Sequence, residues 1–195
     1  MDTNQETLTP QQSLDIIRQM IEQAQGKVQK NSLYLILWGW VVAGCNFGVY
    51  ALVRFTDFDY PYSLWLLVIP AWIITMLHSR KQDRQAGAQS HLDRINMWLW
   101  ICAGIAIAPI VIFGYKINYN INPLTLNLVA VPTFLTGMIV RFRPLLFGGI
   151  SLFVLGIVSF LVDPVTQHLV AGIAIITGYL VPGYLLKSLR ERNHV

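Results

Sequence analysis

The chain has 195 residues, of which 54% are hydrophobic and only 12% charged, with a mean hydropathy of +0.51 and a formal charge of +4. Soluble domains carry about 25% charged residues, so half that share excludes a water-covered surface for a fold of this length. The basic surplus does not point to nucleic acid, because its placement follows membrane topology instead; no nucleic-acid partner is expected.

The first 31 residues are polar and lack the apolar core of a secretory leader, so the first span is expected to be an uncleaved anchor. Thr9, Pro10 and Gln12 supply a helix start, with a capping box and a proline at the first helical position. Leu14, Ile17, Ile21, Ala24 and Val28 then recur at steps of three and four, a single apolar stripe. Asp15, Arg18 and Glu22 lie opposite it as alternating charges. The pattern predicts an amphipathic cytoplasmic helix that ends near Gly26. Strong peripheral binding to anionic lipid needs a polar face rich in Lys and Arg. Here Arg18, Lys27 and Lys30 face Asp15 and Glu22, so the stripe is a candidate partner-binding surface, for a cytoplasmic protein or for a second copy of the chain. Docking on the protein's own loops is the competing structural use.

Uncharged runs follow at 33–53, 61–79, 97–115, 123–140, 145–162 and 164–186. Each approaches the roughly 20 residues needed to cross about 30 Å of hydrocarbon. The expectation is an all-α integral membrane protein with six transmembrane helices arranged as three helical hairpins. Residues 1–31 form the N-terminal segment, 32–187 the membrane domain and 188–195 a cytoplasmic tail. Ser90 with Asp93, Asn122-Pro123 and Asp163-Pro164 supply helix starts for spans three, four and six. Trp38, Trp40, Trp98, Trp100 and Tyr184 are expected at the inner interface. Tyr60, Tyr62, Trp65, Tyr115 and Tyr119 are expected at the outer one.

With the N-terminus inside, Arg18, Lys27, Lys30, Arg80, Lys81, Arg84, Arg94, Arg141, Arg143, Lys187, Arg190 and Arg192 are cytoplasmic, and only Arg54 and Lys116 lie outside. That bias predicts both termini in the cytoplasm, with the chain in a bacterial cell (inner) membrane. Arg141 and Arg143, in the tight turn "RFRP", are candidate contacts for an anionic lipid headgroup.

Three motifs, "VIPAW", "AVPTF" and "LVPGY", set Pro70, Pro132 and Pro182 inside the even spans as candidate kinks. A proline inside a helix removes one N–H and displaces the carbonyl four residues earlier, here those of Leu66, Leu128 and Gly178. Such carbonyls need partners within the bundle or in trapped water. "WGWVVAG" at 38–44 and "WLWICAG" at 98–104 precede the first two motifs at similar spacing. Ser151 holds the matching place ahead of Pro182, which suggests one hairpin repeated three times.

Catalytic and metal-binding patterns are sparse. His78, His91, His168 and His194 are scattered, and Cys45 and Cys102 are single. Neither metal-ligand spacing nor a phosphate loop nor a nucleophile elbow is present. No cofactor is expected, and the chain is read as a non-enzymatic membrane protein that acts through its cytoplasmic helix. The alternative is a passive channel or carrier for a small neutral solute. Ion-coupled transport is disfavoured because no span carries a charge in its core. Kinking prolines in three hairpins suggest mitochondrial carriers, but those place charged residues just after the proline, and "PAWII", "PTFLT" and "PGYLL" do not. Taken together, "SLDIIRQMIEQ" leading into "LYLILWGW", then "RFRPLLFGGI" and "GYLVPGYLLK", resembles a group of small bacterial multi-pass membrane proteins without an assigned activity. That resemblance runs from about residue 13 to Lys187 and implies no particular functional residue.

Overall fold

The computed structural model describes residues 10–83 and 91–193, with side chains placed for residue 11 and for 32–80 and 94–188. Among these every regular element is helical. In chain order they are α1 (Pro10–Phe55), a 3-10 turn (Pro61–Leu67), α2 (Val68–Asp83), α3 (His91–Ile112), a 3-10 turn (Gly114–Ile117), α4 (Ile121–Val140), α5 (Arg143–Ser159), α6 (Pro164–Ile175), a π turn (Ile176–Leu180) and α7 (Val181–Asn193).

Five stretches are long and apolar enough to cross a membrane: Ser32–Phe55, Pro61–Arg80, Arg94–Ile112, Ile121–Val140 and Pro164–Ser188. The run expected as the fifth crossing is α5, an apolar helix of only 17 residues. At roughly 1.5 Å per residue it reaches about 25 Å, the low end of what spans hydrocarbon.

Two expectations about helix ends change. The amphipathic segment does not stop near Gly26, because α1 runs 46 residues without a break from Pro10 through the first span. One glycine costs a helix only about 1 kcal/mol relative to alanine, too little to end one that tertiary contacts hold further on. Helix α4 starts at Ile121, ahead of Asn122. The Asn122 side chain is therefore released from capping and turns into the bundle. Pro70 is the third residue of α2 and is exposed. The 3-10 turn Pro61–Leu67 runs into α2 without a break, so the helical path passes from 3-10 to α just ahead of this proline. The Asp163 expectation holds. Its carboxylate accepts from the backbone N–H of Val165 and Thr166 at 3.2 and 3.1 Å, and the Thr166 contacts hold it below the usual carboxylate range. The Thr9 and Ser90 caps lie outside the described residues.

Helices α4 and α5 make the most extensive contact, and α1 packs against α6, the π turn and α7. Leu126, Ala130, Leu145, Leu152, Ala171, Ala174 and Tyr179 form the shared core. Helices α2 and α3 are peripheral, with almost nothing of either buried against the rest of the chain. The α4–α5 contact is close because glycines lie in it. A Cβ on Gly149 would stand 2.8 Å from the Phe134 backbone nitrogen, and one on Gly137 would stand 2.9 Å from that of Leu146. Small residues at helix seams permit this approach where lipid supplies no hydrophobic drive.

Pro132, inside α4, and Pro182, the second residue of α7, are both buried. Pro182 cannot donate to the Gly178 carbonyl, and the turn before it widens into the π turn. That carbonyl lies where a Cβ on Gly148 would meet it at 2.8 Å, so α5 approaches the widened turn through a glycine.

Candidate functional site

Among the described residues, polar side chains from different helices meet at several levels of the bundle. The deepest-packed level joins Thr133 of α4 to Tyr179 of the π turn, hydroxyl to hydroxyl at 3.1 Å, while Thr133 Oγ1 also donates to the Val129 carbonyl at 2.8 Å. Toward the α3 N-terminus, Thr136 Oγ1 donates to Asn96 Oδ1 at 2.7 Å and accepts from Trp100 Nε1 at 3.2 Å.

The third level is the richest and lies where α1 approaches the first turns of α4 and α6. Asn46, Asn122 and His168 meet there, all buried. His168 Nδ1 lies 3.0 Å from Asn46 Oδ1 and 3.0 Å from Asn122 Nδ2. Asn46 is oriented independently, since its Nδ2 donates to the Val42 carbonyl at 2.9 Å and so turns Oδ1 to the ring. A protonated Nδ1 donates to Asn46, whereas a bare Nδ1 accepts from Asn122. In either tautomer one amide is satisfied and the other faces a like pole. Turning the Asn122 amide over removes the conflict, because Nδ1–H is then shared between two carbonyl oxygens. The Tyr62 ring stands 6.0 Å from the imidazole on the open side.

Gln167, beside His168 and 1% exposed, donates from Nε2 to Asn120 Oδ1 at 2.8 Å. Asn120 in turn donates to the Ile117 carbonyl at 3.1 Å, which fixes the amide order and leaves Gln167 Oε1 with no partner. Ser159 Oγ, at the end of α5, is the other buried polar atom without a partner among the described residues. The cluster holds one titratable side chain among amides, a composition that fixes helix positions and offers acceptors to a small hydrogen-bond donor. Among the described residues no group of three or more His, Cys, Asp or Glu is placed to hold a metal.

The residues singled out from the sequence do not gather here. Arg141 and Arg143 are exposed on either side of the buried Phe142, with Arg141 in the left-handed region at φ 56° closing α4 and Arg143 opening α5. Pro70 is exposed on α2, whereas Pro132 and Pro182 are buried. Leu14, Ile17, Ile21, Ala24 and Val28 are on the continuous α1 backbone, with side chains outside those described. The Asn46–Asn122–His168 contact was not foreseen. Asn46 and His168 are 122 positions apart, and the pairing depends on how α1 packs on α6.

Fold and composition together define an all-helical chain with several helices suited to crossing a membrane. No family model, curated protein or solved structure matches it.

Proposed function

We propose that this is a six-crossing, non-enzymatic protein of the bacterial inner membrane, both termini cytoplasmic, whose N-terminal helix engages a cytoplasmic protein partner. The observation that carries the proposal is the phase of α1. From Leu14, Ile17, Ile21, Ala24 and Val28 the same steps of three and four lead to Ser32, Leu35, Gly39, Ala43 and Asn46, and all five of these are buried. Because α1 has no break, about 100° per residue keeps stripe and buried edge on one side of the helix. The stripe positions on the α1 backbone are therefore in register with the edge on which α6 and α7 pack.

This phase argues against a symmetric dimer through the stripe. Two copies in one membrane with stripes facing would direct both bundles into the same volume. A partner helix rising beneath the bundle meets no such clash. Replacing Ile17 and Ile21 with aspartate is expected to release a protein that cross-links to the native helix while the thermal unfolding of the bundle is unchanged. A lower unfolding temperature with unchanged composition would mean that the stripe only completes the fold.

The crossing number and orientation rest on the basic residues. Arg54 and Lys116 belong to one end of the bundle, and Arg80, Arg94, Arg141, Arg143 and Lys187 to the other. With Cys45 and Cys102 replaced by alanine, a cysteine at Asp59 is expected to react with an impermeant thiol reagent on spheroplasts. One at Gln85, outside the described residues, is expected to stay unlabelled until the membrane is opened. The reverse pattern would invert the protein.

A passive channel or neutral-solute carrier draws little support from the packing. Thr133 is 0% exposed with its hydroxyl engaged, and Pro70 faces outward, so the three proline sites do not line one path.

A further inference from the structure

Threonine hydroxyls in the spans bond to their own helix. Thr75, Thr125, Thr133 and Thr177 each donate to the carbonyl four residues earlier. Ser159, 0% exposed at the end of α5, makes no such bond and has no other partner. Gln167, 1% exposed, uses Nε2 on Asn120 Oδ1 and leaves Oε1 without one. Among the described residues these are the two buried side-chain atoms left unpaired, and a buried polar atom without a partner is costly.

Helix register brings the two to one place. A Cβ on Gly148 of α5 would meet the carbonyl of Gly178, in the π turn, at 2.8 Å, and Ser151 Oγ lies 3.1 Å from Thr177 Oγ1. From Gly148 the buried positions Leu152, Gly156 and Ser159 follow at steps of four, four and three. From Gly178 the buried positions Ala174, Ala171 and Gln167 run back at steps of four, three and four. Each path covers eleven residues, three helical turns and about 16 Å, and the two helices are antiparallel. Ser159 and Gln167 therefore reach the same level on the buried faces of α5 and α6, one turn in from the Asp163 cap. Neither atom bonds to the other, so they stand further apart than one hydrogen bond.

No Asp, Glu, Lys or Arg is buried among the described residues, so an ion at this level would lack a counter-charge. What fits is a small neutral molecule that donates to an amide oxygen and also bonds to a hydroxyl. We propose that Ser159 Oγ and Gln167 Oε1 share one bound water that ties α5 to α6. It donates to Oε1, which offers only lone pairs, and accepts the Ser159 proton that no carbonyl takes. Two hydrogen bonds of about 2.8 Å at a tetrahedral angle let it bridge atoms about 4.6 Å apart.

The test uses the full chain in detergent micelles, with glutamine side-chain amides labelled with nitrogen-15 and water as the probe. The Gln167 resonance is the one lost in Gln167→Met. Cross-relaxation between water and that amide is expected, with the rotating-frame sign that marks dipolar contact and not proton exchange. Ser159→Ala should abolish the cross-peak and lower the unfolding temperature, because the water then keeps one partner where it had two. With no shared water, the same substitution would remove an unpaired hydroxyl and bring in a better helix former, and the unfolding temperature would rise. Three results would each overturn the proposal: no cross-peak in the native chain, a cross-peak that survives Ser159→Ala, or an unfolding temperature that does not fall in that variant.

Discussion

Replacing Gly149 with leucine is expected to prevent the bundle from closing, with protein recovered as aggregate on size-exclusion chromatography. The Cβ alone would sit 2.8 Å from both the nitrogen and the Cβ of Phe134, and backbone atoms of a helix cannot step aside singly. Helices α4 and α5 would have to separate, and theirs is the most extensive contact in the fold. Forcing extra methylenes into a packed seam costs about 1–3 kcal/mol even where side chains can adjust. Gly149→Ala should therefore fold but melt earlier, and Gly149→Leu should not fold. Gly104→Ala is the control, since a Cβ there meets nothing within 4 Å. Its unfolding temperature should equal or exceed that of the native chain, because alanine is the better helix former. Equal tolerance at the two glycines would mean that α4 and α5 are not in van der Waals contact at Phe134.

His168→Leu is expected to lower stability by about 2–4 kcal/mol, since each buried polar group left without a partner costs about 1–3 kcal/mol. Leucine would leave the two amide oxygens that share Nδ1–H, those of Asn46 and Asn122, without that donor. The triple replacement Asn46→Leu, Asn122→Leu, His168→Leu separates polarity from shape. With no amide left to strand, it should recover part of the loss, so the three effects are strongly non-additive in thermal unfolding. Simple additivity would show that the imidazole is not the hub of the cluster.

These two sites were unequally visible in the sequence. The small residues of "FGGIS" and the polar character of Asn46 and His168 could be read directly, as could the apolar runs that became α1 to α7. Their partners could not. Which residue faces Gly149 follows from the crossing of α4 on α5, and nothing local to Gly149 encodes Phe134. His168 was one of four scattered histidines, and Asn122 looked like a cap. Only once α4 begins at Ile121, with Asn120 at the cap position, is the Asn122 amide free to meet the ring. Proline misled for a similar reason. The three motifs share residue order but not surroundings: Pro182 follows a π turn, Pro132 lies mid-helix and Pro70 follows a 3-10 turn. Continuity of α1 was missed because Gly26 was weighed by itself, against no knowledge of the contacts that hold the helix beyond it.

An unbroken α1 has a mechanical meaning. The part ahead of Ser32, from Pro10 to Asn31, is a rod about 33 Å long, rigidly joined to a span that packs on α6, the π turn and α7. A change of about 10° in that span's inclination, well inside the range spanning helices adopt, would swing the far tip by about 6 Å. Lipid thickness, lateral pressure or a ligand in the bundle would thereby become a displacement on the other side of the headgroups. Two glycines at the middle of the rod would uncouple tip from span without touching either.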